Sequence, residues 1–366
     1  MAVRVLEGRR ACDARPEGSG DALSPPLPAK ALRVLLDWVG VAMKLVLALA
    51  GALLLSLICE KADAQVAREA FYSIPSETMS AADFLTGKKG TPVVLAGQLR
   101  LAKTGPAKQP AVVLLHSASG PIAEGAPYEE WPRILNEVGI ATFAVDGYSG
   151  RGLFIPADSG KIGSLTLTRI VDAFRALEVV AKDPRIDPSR IAVMGFSQGG
   201  GAALYSSMAR FQKMYGNADL QFVGHISAYA QCFTRFRDEE DVTKPILMLH
   251  GTADDLTPIA PCREYAERLS KANKTARIIE YPDAYHQFDA PVYRKAVKVE
   301  QRASFRRCRL EEGENGVVLN SETKQPFSSS DSCVEKGFTG GYYQEAAANK
   351  SHEDVKAFVK DLFKLQ

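Results

Sequence analysis

The stretch Ile191 to Gly201 reads IAVMGFSQGGG, and Ser197 stands in it between an apolar, β-branched run and a small-residue run suited to a helix. Gly195-Phe196-Ser197-Gln198-Gly199 is a G-x-S-x-G pattern, in which strand and helix approach so closely that the flanking positions must lack side chains. A serine in that turn projects its hydroxyl above the sheet, and the amide of Gln198 is aimed at the same space. Such a hydroxyl can attack an acyl carbon. It is a poor nucleophile at neutral pH, so it needs an imidazole to take its proton and a carboxylate to orient the imidazole.

The chain has five histidines. His225 falls inside a predicted strand and His352 at the start of the last predicted helix, while His116 and His250 end strands where a ring is expected to hold loop backbone. His286 differs, because it lies in the loop after the last long strand, in YPDAYHQFD, and follows the elbow in chain order. The carboxylate comes from HGTADDLTP, in which Asp254 has the spacing G-x-x-D-x-x-x-P and Asp255 reads as a solvated or helix-capping neighbour. The order Ser197, Asp254, His286 is that of the α/β-hydrolase triad. A structural reading, with both acids drawn to a helix start, leaves His286 without an orienter.

These residues need a frame that brings them together. Ala111 to Leu115 (AVVLL) has the length and apolarity of a strand buried on both faces. A helix from near Tyr128, with Trp131, Ile134, Leu135 and Val138 on one face, leads to strand Ile140 to Val145, completing a βαβ unit. The glycine-rich loop Asp146 to Gly152 and a helix over Leu165 to Ala181 precede the elbow. Strands Gln221 to Ala228 and Pro245 to Leu249, helix Pro261 to Ala272 and strand Ala276 to Tyr281 follow it. This alternation predicts a doubly wound, mostly parallel sheet flanked by helices, with active groups at the C-terminal ends of its strands. Residues 71–101 read as strands, 291–349 as an irregular excursion whose basic patch, Arg302 to Arg309, is a solvated face. Ser351 is the expected cap of a last helix, Glu353 to Leu365.

RIDPSRIAVMGFSQGG, KPILMLHGTADDLTP and YPDAYHQFD together resemble the dienelactone hydrolase family of the α/β-hydrolases, over about Val94 to Tyr285 and again in the final helix. The resemblance implies the α/β-hydrolase fold and places a second oxyanion amide, beside that of Gln198, in the loop after Ala111 to Leu115, where Ala118 fits best. The family often carries a cysteine nucleophile, and Ser197 departs from it, which points away from dienelactones themselves. Arg151, in the loop DGYSGRG, is a candidate contact for a substrate carboxylate or else a partner of local backbone. The expected activity is hydrolysis of carboxylic esters, lactones or related acyl compounds through an acyl-enzyme, without cofactor or metal. The competing classes are a membrane-tethered binding protein that keeps the fold without turnover, and an acyltransferase that uses the same residues.

With 366 residues, net charge +2, no repeats and no Cys/His zinc spacing, the chain fits one large domain with a small-molecule acyl substrate and no nucleic-acid partner. Residues 1–42 read as a disordered or untranslated extension, and Met43 to Ala64 as a secretory signal with an A-x-A site at Ala62 to Ala64. An uncleaved membrane anchor over Ala31 to Ile58 is the alternative. The domain then spans 65–366, exported to a periplasm or secreted. Four cysteines remain after the signal, and sequence alone allows three pairings. Cys232 follows the strand after the elbow helix and Cys262 starts the helix after the Asp254 loop, so topology favours Cys232 with Cys262 and Cys308 with Cys333.

Overall fold

The computed structural model describes residues 68–121, 126–153 and 165–365. The expected signal, its A-x-A site and the alternative anchor lie outside the described residues. The runs of apolar and β-branched residues form an eight-stranded sheet: β1 (Glu69–Thr78), β2 (Thr91–Arg100), β3 (Gln109–Leu115), β4 (Ala141–Asp146), β5 (Ile186–Phe196), β6 (His225–Ala228), β8 (Ile246–Gly251) and β9 (Ala276–Tyr281). A two-residue strand, β7 (Thr234–Arg235), stands apart from it. The sheet order is β1-β2-β4-β3-β5-β6-β8-β9. The β1–β2 and β2–β4 pairs are antiparallel and the others parallel. This is an α/β-hydrolase fold, with flanking helices on both faces.

Both faces of the sheet are apolar, so each must be covered, and two cores result. On one side Val113, Leu115, Phe143 and Val193 pack against α3 (Thr168–Val180), through Ile170, Phe174 and Leu177, and against α4 (Gln198–Tyr205). On the other, Val112, Leu114, Met194, Ile226 and Leu247 meet Trp131 and Leu135 of α2 (Ala126–Glu137) and Val355, Val359 and Phe363 of α7 (Glu345–Phe363). Each fully buried side chain of this size contributes about 1.5–3 kcal/mol relative to exposure. Two further helices, α5 (Ala209–Tyr215) and α6 (Ile259–Lys271), complete the connections after β5 and β8.

Three elements differ from their expected form. A short helix, α1 (Ala81–Thr86), interrupts the first strands, because Ser80 caps it by accepting the Asp83 N–H at 3.1 Å. The last helix starts at Glu345, and Ser351 lies inside it with its hydroxyl bonded to the Ala348 carbonyl at 2.7 Å. Its first turns, EAAANK, carry helix propensity from alanine but no apolar periodicity. The excursion is ordered: β10 (Val297–Ser304) pairs with β13 (Glu335–Gly341), and β11 (Leu310–Glu312) lies between β12 (Val318–Asn320) and β7.

At the C-terminal end of β5 the backbone turns into α4 through Ser197. A Cβ on Gly195 would lie 1.9 Å from the Gly199 carbonyl oxygen, and one on Gly199 would lie 2.2 Å from that of Leu115. Both contacts are backbone and have no side chain to yield. Gly199→Ala is therefore expected to destabilise the fold by at least about 2 kcal/mol in urea unfolding. A change within about 0.5 kcal/mol, the range of ordinary surface substitutions, contradicts this packing.

Candidate active site

The tight turn forces Ser197 to φ 52°, ψ −112°, a conformation that L-residues rarely adopt. Such a residue costs of order 1–3 kcal/mol and persists only where its surroundings hold it. Here the Ser197 N–H donates to the Ala228 carbonyl at 2.9 Å, while the Ser197 carbonyl accepts from Gly201 at 2.9 Å. The hydroxyl is thereby fixed above the sheet. His286 Nε2 lies 2.9 Å from Ser197 Oγ, and its Nδ1 lies 2.8 Å from Asp254 Oδ2. All three side chains are buried. The sequence-derived residues from three separate loops are thus brought into one hydrogen-bonded chain.

The acid is held from several sides. Asp254 Oδ1 accepts the N–H groups of Leu256 at 3.0 Å and Thr257 at 2.8 Å, an Asx-type turn that leaves Oδ2 for the imidazole. Thr257 Oγ1 also donates to Oδ2 at 2.9 Å, and the His250 ring donates from Nε2 to the Thr257 carbonyl at 2.6 Å. Burial alone would push the Asp254 carboxyl up, but the His286 and His250 rings beside it outweigh burial and hold it well below the usual carboxylate range. It is ionised wherever the protein is folded at neutral pH. The Tyr229 ring packs edge-on against His286 at 5.0 Å, and its hydroxyl donates to Asp289 Oδ1 at 2.9 Å.

The proposed oxyanion amides sit on the elements that the elbow brings together. Gln198 is the first residue of α4, directly after the elbow serine. Ala118 lies in the turn after β3, which Gly120 N to Ser117 O (3.1 Å) and Ser119 N to Ser117 Oγ (3.0 Å) shape. His116 steadies that turn. Its Nε2 accepts the Gly147 N–H at 3.1 Å, and its Nδ1 lies 2.7 Å from the Ser117 carbonyl and 3.1 Å from Arg169 Nη1. Burial, reinforced by the Arg169 charge, keeps this ring neutral by lowering its pKa well below the ordinary histidine value. The Gln198 side chain accepts from the Tyr148 hydroxyl at 2.9 Å, and Ala118 packs on a cluster of Tyr148, Leu153 and Leu165.

Arg151 takes a different place from the substrate contact considered above. Its guanidinium donates to both oxygens of Asp172 at 2.8 and 2.9 Å, to Thr78 Oγ1 at 2.8 Å, and to the carbonyls of Gly147 and Glu77 at 2.7 and 2.9 Å. All five N–H donors are engaged within the protein, so Arg151 locks the β4 loop to β1 and α3. Asp255 is also redirected: its carboxylate accepts the Thr339 N–H at 2.8 Å and so ties the acid loop to β13 of the excursion. The excursion reaches the histidine loop as well, through Tyr342 N to His286 O at 3.1 Å. Cys232 is bonded to Cys262, and Cys308 to Cys333.

Sequence reasoning missed Thr257, Tyr229 and the bracing role of the excursion. A threonine three residues after an Asx-turn aspartate carries a readable local signal. The Tyr229 and Tyr342 contacts are long-range, and nothing in their neighbours marks them. Among the described residues no group of His, Cys, Asp and Glu is arranged to hold a metal ion.

Residues 98–309 match the family model described as "Dienelactone hydrolase family". Curated relatives include the "Uncharacterized peptidase YuxL" of Bacillus subtilis, 24% identical over 204 residues, which cover 48% of this chain and 30% of that protein. "Acylamino-acid-releasing enzyme 1" of Oryza sativa is 23% identical over 219 residues, 50% of this chain and 28% of the relative. The alignments thus span less than a third of either relative's length. Among solved structures, one described as "m3DLH" superposes with a TM-score of 0.52 at 16% identity, covering 81% of this chain and 99% of its own. That similarity supports the fold.

The buried histidines make stability depend on pH. Burial lowers His225 to about 4, and its Nδ1 faces the Ala203 carbonyl at 3.0 Å. A histidine with a depressed folded pKa contributes stability that is present above its unfolded value, about 6.5, and lost as pH falls toward the folded value. Urea unfolding between pH 7 and pH 4.5 is expected to show that loss, with His225→Gln reducing its slope by up to about 1.4 kcal/mol per pH unit. An unchanged slope contradicts a neutral buried His225.

Proposed function

The chain belongs to the dienelactone hydrolase family of α/β-hydrolases, and from that premise we propose that it is a serine hydrolase cleaving carboxylic esters, lactones or related acyl compounds. The observation that carries the reading is the continuous chain Ser197 Oγ, His286 Nε2, His286 Nδ1, Asp254 Oδ2, with steps of 2.9 and 2.8 Å, at the mouth of a strained elbow. In the proposed reaction Ser197 Oγ bonds to the acyl carbon while His286 Nε2 takes its proton. The amides of Ala118 and Gln198 stabilise the oxyanion, each such donor being worth about 3 kcal/mol in the transition state. His286 then protonates the leaving alcohol, and an acyl-Ser197 ester remains. Water, deprotonated by the same imidazole, releases the acid. Asp254 stays ionised and balances the imidazolium.

We further propose an exported protein, which the two disulfides favour because thiols stay reduced in a cytosol. The intact mass of protein taken from the host's periplasm or medium is expected to rise by four hydrogen atoms on reduction. Free thiols before reduction contradict export into an oxidising compartment.

The catalytic reading is tested with p-nitrophenyl esters of increasing chain length. The parent is expected to hydrolyse short members, and Ser197→Ala or His286→Ala to lose about a thousandfold or more in kcat. Asp254→Asn, which keeps the shape but favours the wrong tautomer, is expected to lose a comparable factor of about 10³–10⁴. A folded parent no faster than Ser197→Ala excludes esterase activity through this serine.

A further inference from the structure

Thr257 is buried one turn beyond Asp254, and each of its polar atoms is engaged. The N–H donates to Asp254 Oδ1 at 2.8 Å and the carbonyl accepts from His250 Nε2 at 2.6 Å. The hydroxyl oxygen lies 2.9 Å from Asp254 Oδ2, 3.1 Å from His286 Nδ1 and 3.1 Å from the Tyr229 carbonyl. A hydroxyl has one proton and two lone pairs. Asp254 Oδ2 and the Tyr229 carbonyl can both only accept, and the nearer, ionised carboxylate is the stronger acceptor, so the proton goes to Oδ2 and a lone pair of Oγ1 faces the Nδ1–H that the same oxygen accepts at 2.8 Å. Thr257 therefore touches both the acid and the imidazole, on the side opposite to Ser197.

We propose that Thr257 is a positioning residue for this site, whose hydroxyl holds the Asp254 oxygen facing His286 and gives the His286 Nδ1–H a second acceptor. The inference rests on the hydrolase reading given above. Its physical content has two parts. The ring is held by two acceptors instead of one, which narrows its rotation and keeps Nε2 on Ser197 Oγ. The donated hydrogen bond also draws charge from Oδ2, so the carboxylate stabilises an imidazolium less strongly than an otherwise identical carboxylate without it.

The surroundings of His286 offer few competing charges. Asp254 and His250 approach from β8 and its loop, with His250 Nε2 at 3.6 Å from Asp254 Oδ2. From the loop after β6 comes the Tyr229 ring, whose hydroxyl is on Asp289 of the histidine loop itself, and from the elbow comes Ser197. The excursion contributes the Tyr342 N–H to the His286 carbonyl, and its nearest tie to the acid loop, Thr339, occupies Asp255. Among the described residues, Thr257 alone donates a side-chain hydroxyl to the oxygen that His286 uses.

Valine has the shape of threonine without the hydroxyl, and it keeps the backbone N–H that closes the Asx turn. Thr257→Val thus separates positioning by the hydroxyl from capping of the loop, and Thr257→Ser restores the hydroxyl alone. Two readouts are needed, the pH profile of ester hydrolysis and the titration of the His286 ring followed by NMR, which requires no turnover. Thr257→Val is expected to lower kcat about tenfold with KM within about twofold, and to shift the acid limb and the His286 titration together. Thr257→Ser is expected to return both to near the parent. The inference is overturned if Thr257→Val titrates as the parent does, or if Thr257→Ser is as impaired as Thr257→Val. Should Thr257→Val not fold, Thr257→Ala, which also lacks the hydroxyl, takes its place: a parent-like titration there opposes the role, and a shift that Thr257→Ser does not share supports it. A parent without Ser197-dependent turnover defeats the hydrolase reading, while an unshifted NMR titration in an active enzyme defeats only the role of Thr257.

Discussion

The close backbone approach at the end of β5 is the constraint on which the rest depends. Gly195 and Gly199 let α4 start directly against β3 and β5, and a side chain at either position would collide with a carbonyl about 2 Å away. That approach forces the positive φ of Ser197, lifts its hydroxyl off the sheet and sets the first turn of α4 beside the turn that follows β3. Nucleophile and proposed oxyanion amides thus share one geometric cause. The strain is of order 1–3 kcal/mol, small against the burial that fixes β5 between two apolar layers.

The second requirement is electrostatic. A buried carboxylate is costly unless its oxygens are satisfied, and Asp254 satisfies them with two amides, a hydroxyl and an imidazole. The same contacts choose which oxygen meets His286. Farther out, Asp255 and the His286 carbonyl bind the excursion, so β13 and the residue after it brace the acid loop and the histidine loop together. The Cys232–Cys262 bond joins the loop after β6, which supplies Tyr229, to α6, the helix that follows Thr257. Two loops distant in sequence thereby become one rigid rim, which keeps the chain Ser197, His286, Asp254 in register.

What was legible in the sequence was whatever local pattern dictates. Alternating apolar runs named the sheet and its helices, and strand ends located Ser197, Asp254 and His286, since a residue at the C-terminal end of a parallel strand has only one side of the sheet to reach. The disulfide pairs followed from which loops share that side. Sequence leaves Arg151 open between a substrate and local backbone, because a loop arginine looks the same whether it faces a ligand, the Gly147 carbonyl or a carboxylate such as Asp172, which lies on a helix separated from it in the chain. The ordered excursion was hidden for a related reason. Its strands pair across long separations and hold few apolar residues, as in β10, where only Ser304 is buried. Helix α7 began early because alanine propensity leaves no periodic trace.

The central claim is that Ser197 is a nucleophile activated by His286, and covalent capture tests it most directly. The folded protein would be treated with a serine-directed phosphonate probe and the modified peptide identified by mass spectrometry, beside His286→Ala. The account predicts stoichiometric labelling on the peptide containing Ser197, slowed at least about a hundredfold when the imidazole is removed. Absence of labelling in folded protein, or labelling of Ser197 at the same rate without His286, contradicts it.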